Sequence, residues 1–435
     1  MNRTFILACF KIKEETILFY DDYYNEEENV YHFFIMFNKT AKYCPHCGSI
    51  SFFSKGYYDV TINTSVIKHT KCVGHIRNRR FFCKECHKSF KEVNEFYSDY
   101  STISNIVKNS IIEDLKERRP YLSIAKDYGV SVTEVIKIFD NLPIINRLTL
   151  PSVICVDEFH FTKDINKDPR CPFVISNPYT SEIIDIVEYR TKCVLSDYFS
   201  RISSFERKNV RFFISDMNVT FKEIKKMFFK DAIHIIDHFH IIKSFNDAIH
   251  NERRFLLSKY KEDKNNPLYQ SLKNNWKLFL MNQFKLKQMI TSDDKGITYD
   301  LYITVLETFR TFNTLGEIYY AREEFTNQMV KMRSYEETEK FFDYFTNKLD
   351  SCTSKPLQKL NKTLKNWKKE IISAYSKNET GFYLTNAVAE ANNNTIQTYI
   401  NISCGLTNFQ RFRKRILYMN RNSTNVKSRC SDQTL

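Results

Sequence analysis

The chain of 435 residues carries 65 Lys and Arg against 51 Asp and Glu, a formal net charge of +14, and 42% of it is hydrophobic. This length supports roughly two to four domains with sizeable cores and excludes a mini-protein that depends on staples. The positive excess favours a polyanionic partner, with nucleic acid ahead of a membrane surface. No run of about eighteen apolar residues exists to span a bilayer, and the opening MNRTFILACFKIKEE has too short an apolar core for a secretory signal. The expected location is therefore the cytoplasm, where the 12 cysteines serve as metal ligands if clustered and as small core residues if scattered.

Alternating apolar stretches at residues 16–20 and 30–37 predict a small strand-rich opening. Next come Cys44-Pro-His-Cys47 and, after 35 intervening residues, Cys83-Lys-Glu-Cys86. Each CxxC turn presents two thiolates to one ion, so Cys44, Cys47, Cys83 and Cys86 are expected to close a tetrahedral structural zinc site. Two separate redox pairs are the alternative. The β-rich residues 57–67 and 79–82 between the knuckles would frame a zinc ribbon. His46, His75 and His87 lie near enough to replace a cysteine, although four thiolates leave no need for them.

From Ser104 the apolar period becomes helical, with Ile106, Ile111 and Leu115 tracing one helix that ends before Pro120. Residues 123–139, SIAKDYGVSVTEVIKIF, follow with helix-turn-helix grammar. Ile124 and Ala125 pack a short first helix, Gly129 makes the turn, and Ser131 or Thr133 caps the second helix. Val135, Ile136 and Phe139 are its expected buried face. Thr133, Glu134 and Lys137 then point outward, as a helix entering a DNA major groove requires. An ordinary helical hairpin is the plainer reading of the same pattern.

The apolar run Val153-Ile-Cys-Val156 predicts a strand covered on both faces, with Asp157 at its mouth. A buried acid there needs an offsetting cation, unless it opens a solvated loop. Strands at 171–176 and 182–188 join across Asn177-Pro-Tyr-Thr180, and 193–202 reads as a helix. Further strands at 211–215 and 232–236 end in Asp216 and in Asp237-His238-Phe239-His240. This order is that of a ribonuclease H-like α/β core, in which carboxylates from separate strand ends converge. Residues 241–380 read as a large all-helical insertion with basic residues for phosphate contacts. In the helix that follows, capped by Thr385 or Asn386, the residues Glu390, Asn393, Asn394 and Gln397 form one polar stripe. Phe409, Phe412, Ile416 and Leu417 then interleave with Arg411, Arg413, Lys414 and Arg415 in a basic helix expected to contact DNA.

These pieces have a fixed order: CPHCG with the later CKEC, the helical pair at 123–139, VDEFH at 156–160, SDMN at 215–218, DHFHIIK at 237–243, AEANN at 389–393 and GLTNFQRFRKRIL at 405–417. Together they resemble the bacterial insertion-sequence transposases of the DDE class, most closely the insertion sequence L-three (ISL-three) group, over residues 40–425. The resemblance implies that Asp157, Asp216 and Glu390 are a catalytic triad binding two Mg²⁺ or Mn²⁺ ions for phosphodiester hydrolysis and strand transfer. It further implies binding to the terminal inverted repeats of an insertion sequence, double-stranded DNA as partner and target, assembly on DNA as a homodimer or higher oligomer, and a place at the bacterial nucleoid.

Asp237, His238 and His240 take a supporting role. The expected architecture is multidomain α+β: a strand-rich N-terminus with the zinc ribbon over 1–98, a helix-turn-helix domain over 99–148, and the two parts of the ribonuclease H-like catalytic core at 149–243 and 381–435, separated by the helical insertion at 244–380. The alternative is a catalytically inactive, transposase-derived DNA-binding protein; the presence of all three acids favours the enzyme.

Overall fold

The computed structural model describes residues 4, 7–8, 10–67, 70–92, 96–98, 101–161, 170–292, 298–332, 334–376, 386–403 and 407–422. The chain divides into two compact units, Met1–Asn146 with Ile396–Leu435, and Arg147–Thr395. The chain from Ile396 onward groups with the N-terminal unit. Thr385 and the start of the last motif, Gly405, lie outside the described residues.

In the first unit, β1 (Ile17–Asn25), β2 (Val30–Phe37), β3 (Phe52–Ile67) and β4 (Thr70–Cys83) form a sheet in the order β1-β2-β4-β3, with β5 (Ser89–Lys91) beside β4. β2 and β4 run parallel and the other pairs antiparallel. Alternation puts Tyr31, Phe33 and Ile35 on the buried face, opposite Cys72 and Ile76. Gly74 is required there, since a Cβ would lie 2.7 Å from the Phe33 ring.

Three helices follow: α1 (Asn105–Asp114), α2 (Tyr121–Tyr128) and α3 (Val132–Asp140). Pro120 starts α2, Gly129 ends it at φ 61°, and Ser131 caps α3 by accepting from the Glu134 amide. Val107, Ile111, Leu115, Ile124, Ala125, Val135, Ile138 and Phe139 form their common core. The buried face of α3 is therefore Val135, Ile138 and Phe139, and Ile136, expected there, is only half-buried. Helical phase explains the correction: 135, 138 and 139 share one stripe, from which 136 is turned by about 100°.

The second unit is built on a five-stranded sheet of β6 (Val153–Glu158), β7 (Phe173–Ser176), β8 (Ile183–Val187), β9 (Phe212–Ser215) and β10 (Ile233–Ile236) in the order β10-β9-β6-β7-β8. β6, β9 and β10 are parallel, whereas β7 and β8 pair antiparallel. The central strand is covered on both sides, as its unbroken apolar run requires. Ile154 and Val156 belong to one core with Phe173, Leu195, Phe199 and Phe221, and Val153 and Cys155 to another with Ile235, Ile241 and Phe245. Helices α4 (Lys192–Ser200), α5 (Ser204–Lys208) and α6 (Val219–Phe228) precede or follow β9 on the first side.

The other side carries α7 (His238–Lys259), α8 (Pro267–Asn274), α9 (Gln283–Lys287), α10 (Leu301–Thr311), α11 (Asn313–Met329), α12 (Tyr335–Leu349), α13 (Lys355–Asn366) and α14 (Lys368–Tyr375). The expectation of an all-helical insertion is corrected by an antiparallel pair, β11 (Ile290–Ser292) with β12 (Thr298–Asp300), whose short β-branched and aromatic segments are too brief to form a helix. Last comes α15 (Ala387–Ile402), whose first nine residues belong to this unit. Among the described residues no helix is long and apolar enough to cross a membrane.

Candidate functional site

The four expected cysteines meet in the first unit. Cys44 and Cys47 occupy a tight turn closed by the Gly48 amide donating to the Cys44 carbonyl at 2.9 Å, and Cys83 and Cys86 flank the turn that leaves β4. The sulfurs of Cys44 and Cys86 lie 3.7 Å apart and those of Cys47 and Cys83 3.6 Å apart, with all four within 4.8 Å of one another. Thiolates about 2.3 Å from one tetrahedral ion sit about 3.8 Å from each other, so the set is spaced to hold a single metal. Backbone donation from Cys86 to its sulfur brings Cys83 down to about 7, whereas burial raises Cys86. His75 is not in the set: its ring lies against Phe34, with Nε2 3.0 Å from His32 Nδ1.

In the second unit the parallel strands deliver acids to one edge. Asp157 is the fifth residue of β6, Asp216 follows β9, and Asp237 follows β10, whose end is tied to its neighbour by the Asp237 amide donating to the Ser215 carbonyl at 3.1 Å. Helix α15 is fastened to this edge by two consecutive asparagines. Asn392 Nδ2 donates to Ser176 Oγ at 3.0 Å, and Asn393 Nδ2 donates to Asp157 Oδ2 at 2.8 Å and to the Glu158 carbonyl at 3.1 Å. One turn earlier on that helix stands Glu390.

Burial, reinforced by the charges of Glu158 and Glu390, pushes Asp157 up to about 6 against opposing hydrogen bonds from the Glu158 amide and Asn393. Burial with the charges of Glu158 and Asp157 pushes Asp216 up to about 7, while Arg190 and Lys243 pull the other way. Glu390 is also raised, by burial and then by Asp237. One oxygen of Asp216, Oδ1, is buried with no hydrogen-bond partner. The edge is thus a cluster of hard oxygen donors that carries more negative charge than its surroundings neutralise.

A closer group lies within it. Asp237, His240 and Glu390 each bring one ligand atom within 4.8 Å of the others, with His240 Nε2 4.0 Å from Glu390 Oε1. Among the described residues, Asp157 and Asp216 belong to no set closed to that distance. His238 faces elsewhere, stacking on Tyr375 with Nε2 2.6 Å from the Ala374 carbonyl. Sequence reasoning passed over Glu158, which pairs with Arg190, and over Arg190 and Lys243. VDEFH displayed Glu158 beside Asp157, but no pattern marked Arg190, which leaves the end of β8 without a periodic neighbour.

On α3, Thr133 and Lys137 are exposed and Glu134 is half-buried. The basic residues of the C-terminal helix, Phe409–Asn422, are placed differently from one another. Arg411 forks Asp140 at 2.6 to 3.2 Å, Lys414 reaches the carbonyls of Phe139, Asp140 and Leu142 beyond the end of α3, and Arg413 Nη1 lies 3.4 Å from the Ile145 carbonyl. Arg415 is fully buried, donating to the carbonyls of Leu115, Glu117 and Arg119 among the rings of Tyr121, Phe139 and Tyr399.

No curated protein matches the sequence. A family model for transposases, that of the DDE ISL3 type, matches residues 154–416. That span is more than half of the chain and runs from β6 through the acid edge into the C-terminal helix. The chain therefore belongs to the DDE transposases of the ISL3 type.

Proposed function

We propose that the protein binds the ends of an insertion sequence and cuts and joins DNA there, with Asp157, Asp216 and Glu390 holding divalent Mg²⁺ or Mn²⁺. The observation that carries this reading is the convergence of the three acids at one sheet edge, all raised, together with the orphaned Asp216 oxygen, a combination that a bound cation would stabilise. The donor set fits hard ions, since all three side chains offer carboxylate oxygen. Such ions, when bound, polarise the scissile phosphate and lower the pKa of the attacking water. Asn393 holds one oxygen of Asp157 and the Glu158 amide the other, which fixes the carboxylate's orientation, and Glu158 is kept from competing by its ion pair with Arg190. Lys243, near enough to lower both Asp216 and Glu390, is positioned to meet a DNA phosphate.

The strand order of the second unit, an antiparallel three-strand meander extended by two parallel strands, supports a ribonuclease H-like core. The α2–Gly129–α3 turn supports a helix-turn-helix, with Thr133, Glu134 and Lys137 toward the major groove. The four-sulfur cluster supports a structural zinc in a ribbon. Incubating the protein and Mg²⁺ with labelled element ends tests the whole reading. Nicked and joined products are expected from the natural sequence, and end binding without cleavage from Asp157→Asn, Asp216→Asn and Glu390→Gln. End binding with no cleavage by the natural sequence would instead mark an inactive DNA-binding derivative.

A further inference from the structure

We propose that Asp237, His240 and Glu390 form a cation subsite of their own, one that takes a first-row transition ion such as Mn²⁺ in preference to Mg²⁺. The inference deepens the proposed function and rests on its reading of Glu390 as a metal-facing carboxylate.

The argument begins with Asp237. It is the residue before α7, where an aspartate ordinarily turns its carboxylate back to cap the helix amides, yet its side chain makes no capping hydrogen bond. It is only 4% exposed. A carboxylate that is buried and gives up its cap needs another source of positive charge. What it faces is the imidazole of His240, one turn along α7, and Glu390 from α15.

Two donors about 2.1 Å from one ion are at most about 4.2 Å apart. A group whose ligand atoms all lie within 4.8 Å therefore closes on an ion with a movement of at most a few tenths of an ångström at each side chain. Three ligands leave positions open for water or a phosphate oxygen. The mixed set decides the class of ion, because imidazole suits transition cations and Mg²⁺ seeks oxygen. Asp157 and Asp216, all oxygen, keep the opposite preference.

Electron paramagnetic resonance of Mn²⁺ titrated into the full-length, DNA-free protein tests the subsite; zinc in the cysteine cluster is silent. Pulsed measurements are expected to show directly coordinated ¹⁴N in the natural protein and in Asp157→Asn and Asp216→Asn. The coupling should vanish in His240→Ala, and Mn²⁺ affinity should fall by about tenfold or more in His240→Ala and Asp237→Asn. Mg²⁺ at equal concentration should not displace the nitrogen-coupled ion. Absence of ¹⁴N coupling in the natural protein would overturn the subsite without recourse to any variant, as would its persistence in His240→Ala. The two readings separate in the cleavage assay: DNA cutting without nitrogen coupling leaves the function and removes the subsite, and coupling without cutting does the reverse.

Discussion

Asp216 has one oxygen exposed to its neighbours' charges and another buried with no donor, and its carboxyl rises to about 7; Asp157 beside it rises to about 6. Both folded values lie above the ordinary 3.8, so between about pH 4 and pH 7 the folded protein binds more protons than the unfolded chain. Stability of the metal-free protein should therefore fall as pH rises through that window and remain lower above it, by up to about 7 kcal/mol for the pair. Denaturant melts from pH 4 to pH 8 measure the slope, and Mn²⁺ or Mg²⁺ at pH 7.5 should reverse it. Asp216→Asn should stabilise the metal-free protein at pH 7.5 by about 1 to 3 kcal/mol, since it removes a buried charge, and on the proposed function it should abolish cleavage. A variant less stable than the natural protein at that pH would contradict this account. At this scale the sequence displayed the acids, because each ends a short apolar strand. It did not display their partners, because Asn393, Arg190 and Lys243 come from elements whose meeting depends on tertiary packing.

The C-terminal helix shows what helical phase adds to composition. Arg415 stands among Arg411, Arg413 and Lys414 and reads as one more DNA-facing cation. Yet it falls three residues after Phe412 and four before Met419, in the same stripe as Phe409 and Ile416, all of them buried. Counting by phase would have turned it inward. Its guanidinium closes the segment between α1 and α2 by donating to three carbonyls, a task suited to a planar fork. Arg415→Met should cost about 3 kcal/mol or more, because those carbonyls lose their donor while staying buried. Arg415→Lys should recover little of it, since one ammonium cannot reach the same three acceptors. Urea unfolding of the three proteins measures both effects, and a lysine variant as stable as the natural protein would show that charge alone suffices. The opposite lesson comes from the three α1–α3 helices, where Pro120, Gly129 and Ser131 marked the ends so clearly that only Ile136 was misplaced.

At the scale of the whole molecule, the chain returns to its first unit after completing the second, and local sequence carries no mark of that return. The polar stripe and apolar flanks of α15 run through Thr395 without a change of pattern, so the division had to come from packing. What the sequence did mark is the cysteine cluster, because paired knuckles need no tertiary knowledge to be counted. A metal held there would have a distinct structural duty. The knuckle at 83–86 ends β4 and the one at 44–47 precedes β3, so the sulfurs join the open ends of the two longest strands of the first sheet. Only a small apolar group, Phe52, Phe81 and Phe90, supports them there. A structural zinc contributes on the order of 10 kcal/mol of apparent binding energy, at least as much as those three rings supply by burial. Stripping it with a strong chelator should therefore raise amide hydrogen exchange across residues 41–91 while the strands of the second unit, 153–158 and 212–236, keep their protection. Cys83→Ser should reproduce the change without chelator. Unaltered exchange at residues 41–91 in both experiments would mean that the sheet end holds itself together and that the four sulfurs carry no structural metal.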